Sequence, residues 1–89
     1  MSRYLVLIEG DFRKGNYNYT ITRSEPMPRS EAEELFQRVI RGEAPELLKP
    51  RKDAVLVRTA ENQVCRFWTG VTRSEVMDRI TLAEVLSEP

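Results

Sequence analysis

The chain has 89 residues, 14 basic and 14 acidic side chains, no histidine and a single cysteine, with 40% hydrophobic and 31% charged residues. This is the composition of one ordinary globular domain; it excludes a disulfide framework, cysteine-based metal sites, histidine-dependent triads and imidazole pH switches. The zero net charge disfavours binding to nucleic acid through phosphates, and no run approaches the roughly 20 apolar residues of a membrane span, so a cytoplasmic protein without membrane attachment is expected.

Tyr4-Leu5-Val6-Leu7-Ile8 is apolar at both alternating sets of positions and stops at Glu9-Gly10. It reads as a strand covered on both faces. The segment 10–16 supplies Gly and Asn for a loop. Residues 17–22 then alternate strictly, with Tyr17, Tyr19 and Ile21 on one face, as the second strand of a hairpin.

Pro26 and Pro28 bracket Met27 and forbid regular backbone bonding there. Ser30 with Glu33 has the spacing of a capping box. Ala32, Leu35, Phe36, Val39 and Ile40 form one apolar helical stripe, and Gly42 is placed to end the helix in the left-handed conformation. Pro45-Glu46-Leu47-Leu48 reads as one further turn before the polar stretch 49–52.

Ala54-Val55-Leu56-Val57-Arg58 reads as a second strand with two apolar faces. A short polar turn follows, then a returning strand over 64–69 closed by Gly70. On that strand Arg66 and Trp68 share one face while Cys65 and Phe67 share the other. Beyond Thr72, both Thr72-x-x-Glu75 and Thr81-x-x-Glu84 have cap spacing. One broken helix, or an extended piece leading to a terminal helix from about Leu82, would fit; the second is favoured by analogy with the first half.

That analogy rests on a near-repeat. Thr22-Arg23-Ser24-Glu25 returns fifty residues later as Thr72-Arg73-Ser74-Glu75, and the same shift superposes Leu5-Val6-Leu7 on Val55-Leu56-Val57. Self-similarity at this period signals one supersecondary unit used twice. The expected fold is therefore α+β: a four-stranded, mostly antiparallel sheet from two ββα units, about 3–48 and 53–88, within a single domain of residues 1–89, with helices on one face.

The candidate contact residues follow from chemistry. Arg23 and Arg73 would be equivalent positions in the two halves, and the guanidinium fork suits carboxylates and phosphates. Phe12, Arg13, Lys14 and Tyr17 interleave aromatic and basic side chains near a loop, and Trp68 could extend the same platform, the combination that single-stranded nucleic acid uses. Cys65 reads as a buried structural thiol rather than a nucleophile. No glycine pattern signals a phosphate loop, and no carboxylate pair has acid-base spacing. The chain reads as a small non-catalytic module, with no cofactor and no metal, that binds a protein partner and forms a homodimer across its second apolar sheet face. The alternative is a module for single-stranded nucleic acid built on the hairpin aromatics and basic loop residues.

Overall fold

The computed structural model describes residues 2–13, 19–71 and 73–89. The elements run β1 (Arg3–Arg13), β2 (Thr20–Arg23), β3 (Met27–Pro28), α1 (Arg29–Ile40), β4 (Val55–Ala60), β5 (Gln63–Thr69) and β6 (Glu75–Val85). They form one six-stranded antiparallel sheet in the order β2-β1-β6-β5-β4, with β3 pairing to β1 beyond the end of β2. A single helix packs on one face. The expected four-stranded sheet of two ββα units is thus corrected to six strands and one helix among the described residues.

The correction has one main cause. Residues 75–85, expected to close in a helix from about Leu82, form the long central strand β6, which pairs with β1 from Arg3↔Val85 to Arg13↔Val76 and with β5 from Gln63↔Thr81 to Thr69↔Glu75. Val76, Ile80 and Leu82 alternate toward the helix side, and the β-branched Val76, Ile80, Thr81 and Val85 favour a pleated backbone. Thr81 and Glu84, which have the spacing of a cap, are strand residues facing opposite sides of the sheet.

The near-repeat does not mark equivalent structures. Thr22-Arg23 ends β2, and Ser24 beyond it is buried against β1, donating its backbone N–H to Val6 O and accepting from Val6 N through Oγ, both at 3.0 Å. This side chain continues the ladder where Pro26 and Pro28 interrupt it. Arg73, by contrast, lies in the tight turn between β5 and β6 with φ 64°, its N–H donating to Gly70 O at 2.9 Å. Likewise β1 lies inside the sheet, whereas β4 is its edge with all six residues exposed. Residues 54–58, read from the sequence as a second strand with two apolar faces like residues 4–8, thus contribute the sheet's edge rather than an inner strand.

The helix forms where its apolar stripe requires. Ala32, Phe36 and Val39 are buried, with Leu35 and Ile40 at the margin, against Val6, Ile8, Val64 and Ile80 of the sheet. Its start differs from the capping-box expectation: Pro28 is the N-cap, no side chain caps the helix, and Glu33 accepts from Arg29 Nε at 2.9 Å. The proline ring presets the backbone angle that leads into the first turn. At the other end Gly42 has φ 75°, its N–H donates to Val39 O and that of Glu43 to Arg38 O. That pair of bonds is a Schellman motif. Ala44, Leu47 and Leu48 then extend the core in the turn expected at 45–48.

Candidate functional site

Two surfaces follow from the pairing registers. On the helix side lie Val6, Ile8 and Gly10 of β1, Val76, Asp78 and Ile80 of β6, and Val64, Arg66 and Trp68 of β5. The helix covers the aliphatic end of this face. The other end is a buried polar cluster centred on Asp78, which is 3% exposed. Its Oδ2 accepts from Arg66 Nε at 2.9 Å, Arg66 Nη2 at 2.7 Å and Trp68 Nε1 at 2.7 Å, and its Oδ1 accepts from Asp11 N at 3.1 Å.

A bulge makes the last of these bonds. Between Glu9 and Phe12 the β1–β6 register shifts by one residue, and Asp11 takes φ 61° there. Such an insertion re-aims every side chain beyond it, so Arg13 falls on the helix side beside Trp68 and Phe12 on the opposite face. Gly10 leaves room for the carboxylate: a Cβ there would lie 3.0 Å from Asp78 Oδ1 and 2.9 Å from Thr20 Oγ1.

Trp68 is itself enclosed. The Arg51 guanidinium lies 3.4 Å from the ring centroid and that of Arg13 5.9 Å away, positions where a cation is drawn to the ring face. Arg66 Nη1 donates to Lys49 O at 2.8 Å, tying the 49–53 segment to the sheet. With four N–H groups held on it, three on Oδ2 and one on Oδ1, the carboxylate acts as a clamp on β5 and the β1 bulge.

Among the described residues no helix covers the second face. Reading across it from β2 to β4, one row is Ile21, Glu9, Arg79, Cys65 and Val57, and the next is Phe12, Met77, Phe67 and Val55. Leu5, Leu7 and Ala83 continue it toward the other end. Ile21 and Val55 are about three-fifths exposed, at 62% and 61%. Near its middle Arg79 donates from Nε and Nη2 to the two carboxylate oxygens of Glu9, each at 3.0 Å. The hydrogen bond to Glu9 pushes the Arg79 pKa up from its ordinary value. The same guanidinium sits 5.5 Å from the centroid of Phe12, which stacks on Tyr19 at 5.0 Å.

The sequence-derived contact residues are therefore dispersed. Phe12 belongs to the open face, while Arg13 and Trp68 lie on the helix side of the sheet. Arg23 ends β2 beside Leu7 and donates to Ser24 O at 3.1 Å; Arg73 sits in the β5–β6 turn, so the two are not related by any local axis. Lys14 and Tyr17 lie outside the described residues. Asp78 and the Glu9–Arg79 pair are not signalled by the sequence, and Arg51, one of the basic residues of the nucleic-acid alternative, lies over the Trp68 ring. An Asp facing Arg66 and Trp68 across a strand pair would have been the signal, but it required β6 to be read as a strand. Cys65 is buried as expected, with Thr59 Oγ1 3.9 Å from its sulfur.

Among the described residues no three His, Cys, Asp or Glu side chains group as metal ligands, and no helix is long and apolar enough to cross a membrane. Comparison of the chain with protein-family models, curated proteins and solved structures finds no match.

Proposed function

We propose that the protein is a cytoplasmic, non-catalytic binding module that forms a homodimer through the open face of its sheet and presents its remaining surface to a protein partner. The observation that carries this reading is the apolar surface of the open face on either side of the Glu9–Arg79 pair, where Leu7, Met77 and Phe67 are partly covered and Ile21, Val55 and Val57 at the rims are exposed. Exposed apolar patches of this kind mark interaction surfaces.

A second copy is the fitting occupant because the face is nearly neutral. Its central charges, Glu9 and Arg79, are already paired, so two such faces meet without net repulsion. A reducing compartment suits the lone thiol of Cys65. The nucleic-acid alternative loses the Trp68 extension of its stacking platform, since Trp68 is 9% exposed with Arg51 over its ring.

Light scattering on the eluting protein tests this. A dimer is expected at micromolar concentration, and Ile21→Glu or Phe67→Glu should weaken it about tenfold or more, with circular dichroism unchanged, by placing two charges in a symmetric apolar interface. A monomer at 100 μM, or a dimer indifferent to both substitutions, would overturn the reading.

A further inference from the structure

The edge strand β4 carries a second site. Edge strands present unpaired backbone groups and are ordinarily blunted by proline, charge or a covering element. In β4 the stretch Val55-Leu56-Val57 has no such protection: these residues are 61%, 47% and 41% exposed. The far edge of the sheet differs, since β2 is short and the chain next to it is broken by Pro26 and Pro28.

Alongside β4, on the helix side, runs a groove of about 530 Å³ whose apolar wall is Val39, Ile40, Pro50, Ala54 and Leu56. The helix ends above it at the Gly42 turn, so a side chain alternating in register with Leu56 would enter it. The rim is cationic. Arg41, Arg51, Lys52 and Arg66 line the groove and no carboxylate does; Arg41 and Arg66 are paired with Glu43 and Asp78, which leaves the charges of Arg51 and Lys52 for an occupant.

We infer that β4 is a strand-addition site for an extended acidic segment of a protein partner, with apolar residues at alternate positions and Asp or Glu between them. Main-chain bonds to the free edge would supply affinity and the Leu56 groove would read every second side chain. The cationic rim sets the charge of the occupant and argues against a second copy, whose own β4 would bring the same Arg51 and Lys52 to the seam. The site specifies the partner class for the module proposed above; it shares strand β4 with the rim of the dimer face, but its groove residues Val39, Ile40 and Leu56 lie on the helix side of the sheet, so Leu56→Glu and Phe67→Glu test the two apart.

The test uses the full chain and a short fluorescein-labelled peptide in which valine alternates with glutamate, read by anisotropy and by the emission of Trp68, the single tryptophan, which lies under Arg51 on the groove's margin. Binding should be saturable, weaken with salt, and fall about tenfold with Leu56→Glu and several-fold with Lys52→Glu, while light scattering shows the oligomeric state unchanged. A peptide alternating valine with lysine should bind at least tenfold more weakly. Absence of binding at 100 μM peptide, equal binding of the lysine peptide, or loss of the dimer on Leu56→Glu, which would show that a second copy occupies the edge, each overturns the proposal.

Discussion

Asp78 stands at a position that the alternation of β6 reserves for an apolar side chain, between Val76 and Ile80. The carboxylate is tolerated there because four N–H groups from three residues surround it and Arg66, which supplies two of them, brings the compensating charge within the same strand pair. Removing only one partner of such a buried pair leaves the other uncompensated. Asp78→Ala is expected to destabilise the protein by about 3–5 kcal/mol, measured by urea denaturation, and to free the Trp68 indole for a change in emission. Replacing Arg66 and Asp78 together by apolar residues should recover most of that loss, because no unpaired charge then remains. The same residue explains what the sequence hid. That Arg66 and Trp68 share a face was legible from the period of two alone, but their common acceptor lies 10 and 12 residues further on, in a segment whose polar Asp78 disguised the alternation.

Helix α1 was legible because its evidence is redundant. Five apolar positions fall on one stripe and Gly42 marks the stop, so an error in the starting cap did not change the element. Gly42→Ala should cost about 1–2 kcal/mol by forcing a Cβ into the left-handed region, and a Cβ there would also stand 3.1 Å from Pro50 Cβ; thermal and urea melts check the value. The strands were harder. Residues 55–57 are apolar on both sides because β4 is an edge that keeps both sides exposed, not because both are covered. Period and composition cannot separate these cases: a two-sided apolar strand records what can be buried, while its neighbours decide what is. The near-repeat failed for a related reason, since Thr-Arg-Ser-Glu suits both a strand exit and a hairpin turn.

At the scale of the molecule, one sheet carries a core on one side and a neutral apolar field on the other. With no histidine in the chain, no side chain ordinarily changes charge between pH 6 and 8. The raised pKa of Arg79 contributes stability that is complete below the unfolded-state value and is lost only as pH rises through the still higher folded value, both far above neutrality. Melting temperatures at pH 6 and pH 8 should therefore differ by less than the ~4 °C that 1 kcal/mol would produce in a domain of this size. A steeper dependence would require a group in the fold that titrates near neutrality.

The pairing of β1 with β6 joins residues from Arg3↔Val85 inward, across almost the whole chain. During synthesis the order of events is therefore fixed by topology. The β4–β5 hairpin can close early, but β1 and β5 each keep an open flank until the residues of β6 emerge and fill the space between them. Until that moment the nascent chain exposes two further sticky borders in addition to the one that β4 retains for good. Loops this long are slow to close, and the unfilled interval is when strands pair wrongly. The centre of the sheet is the last part of it to exist, which makes β6 a keystone whose arrival turns two hairpin-sized fragments into one protein.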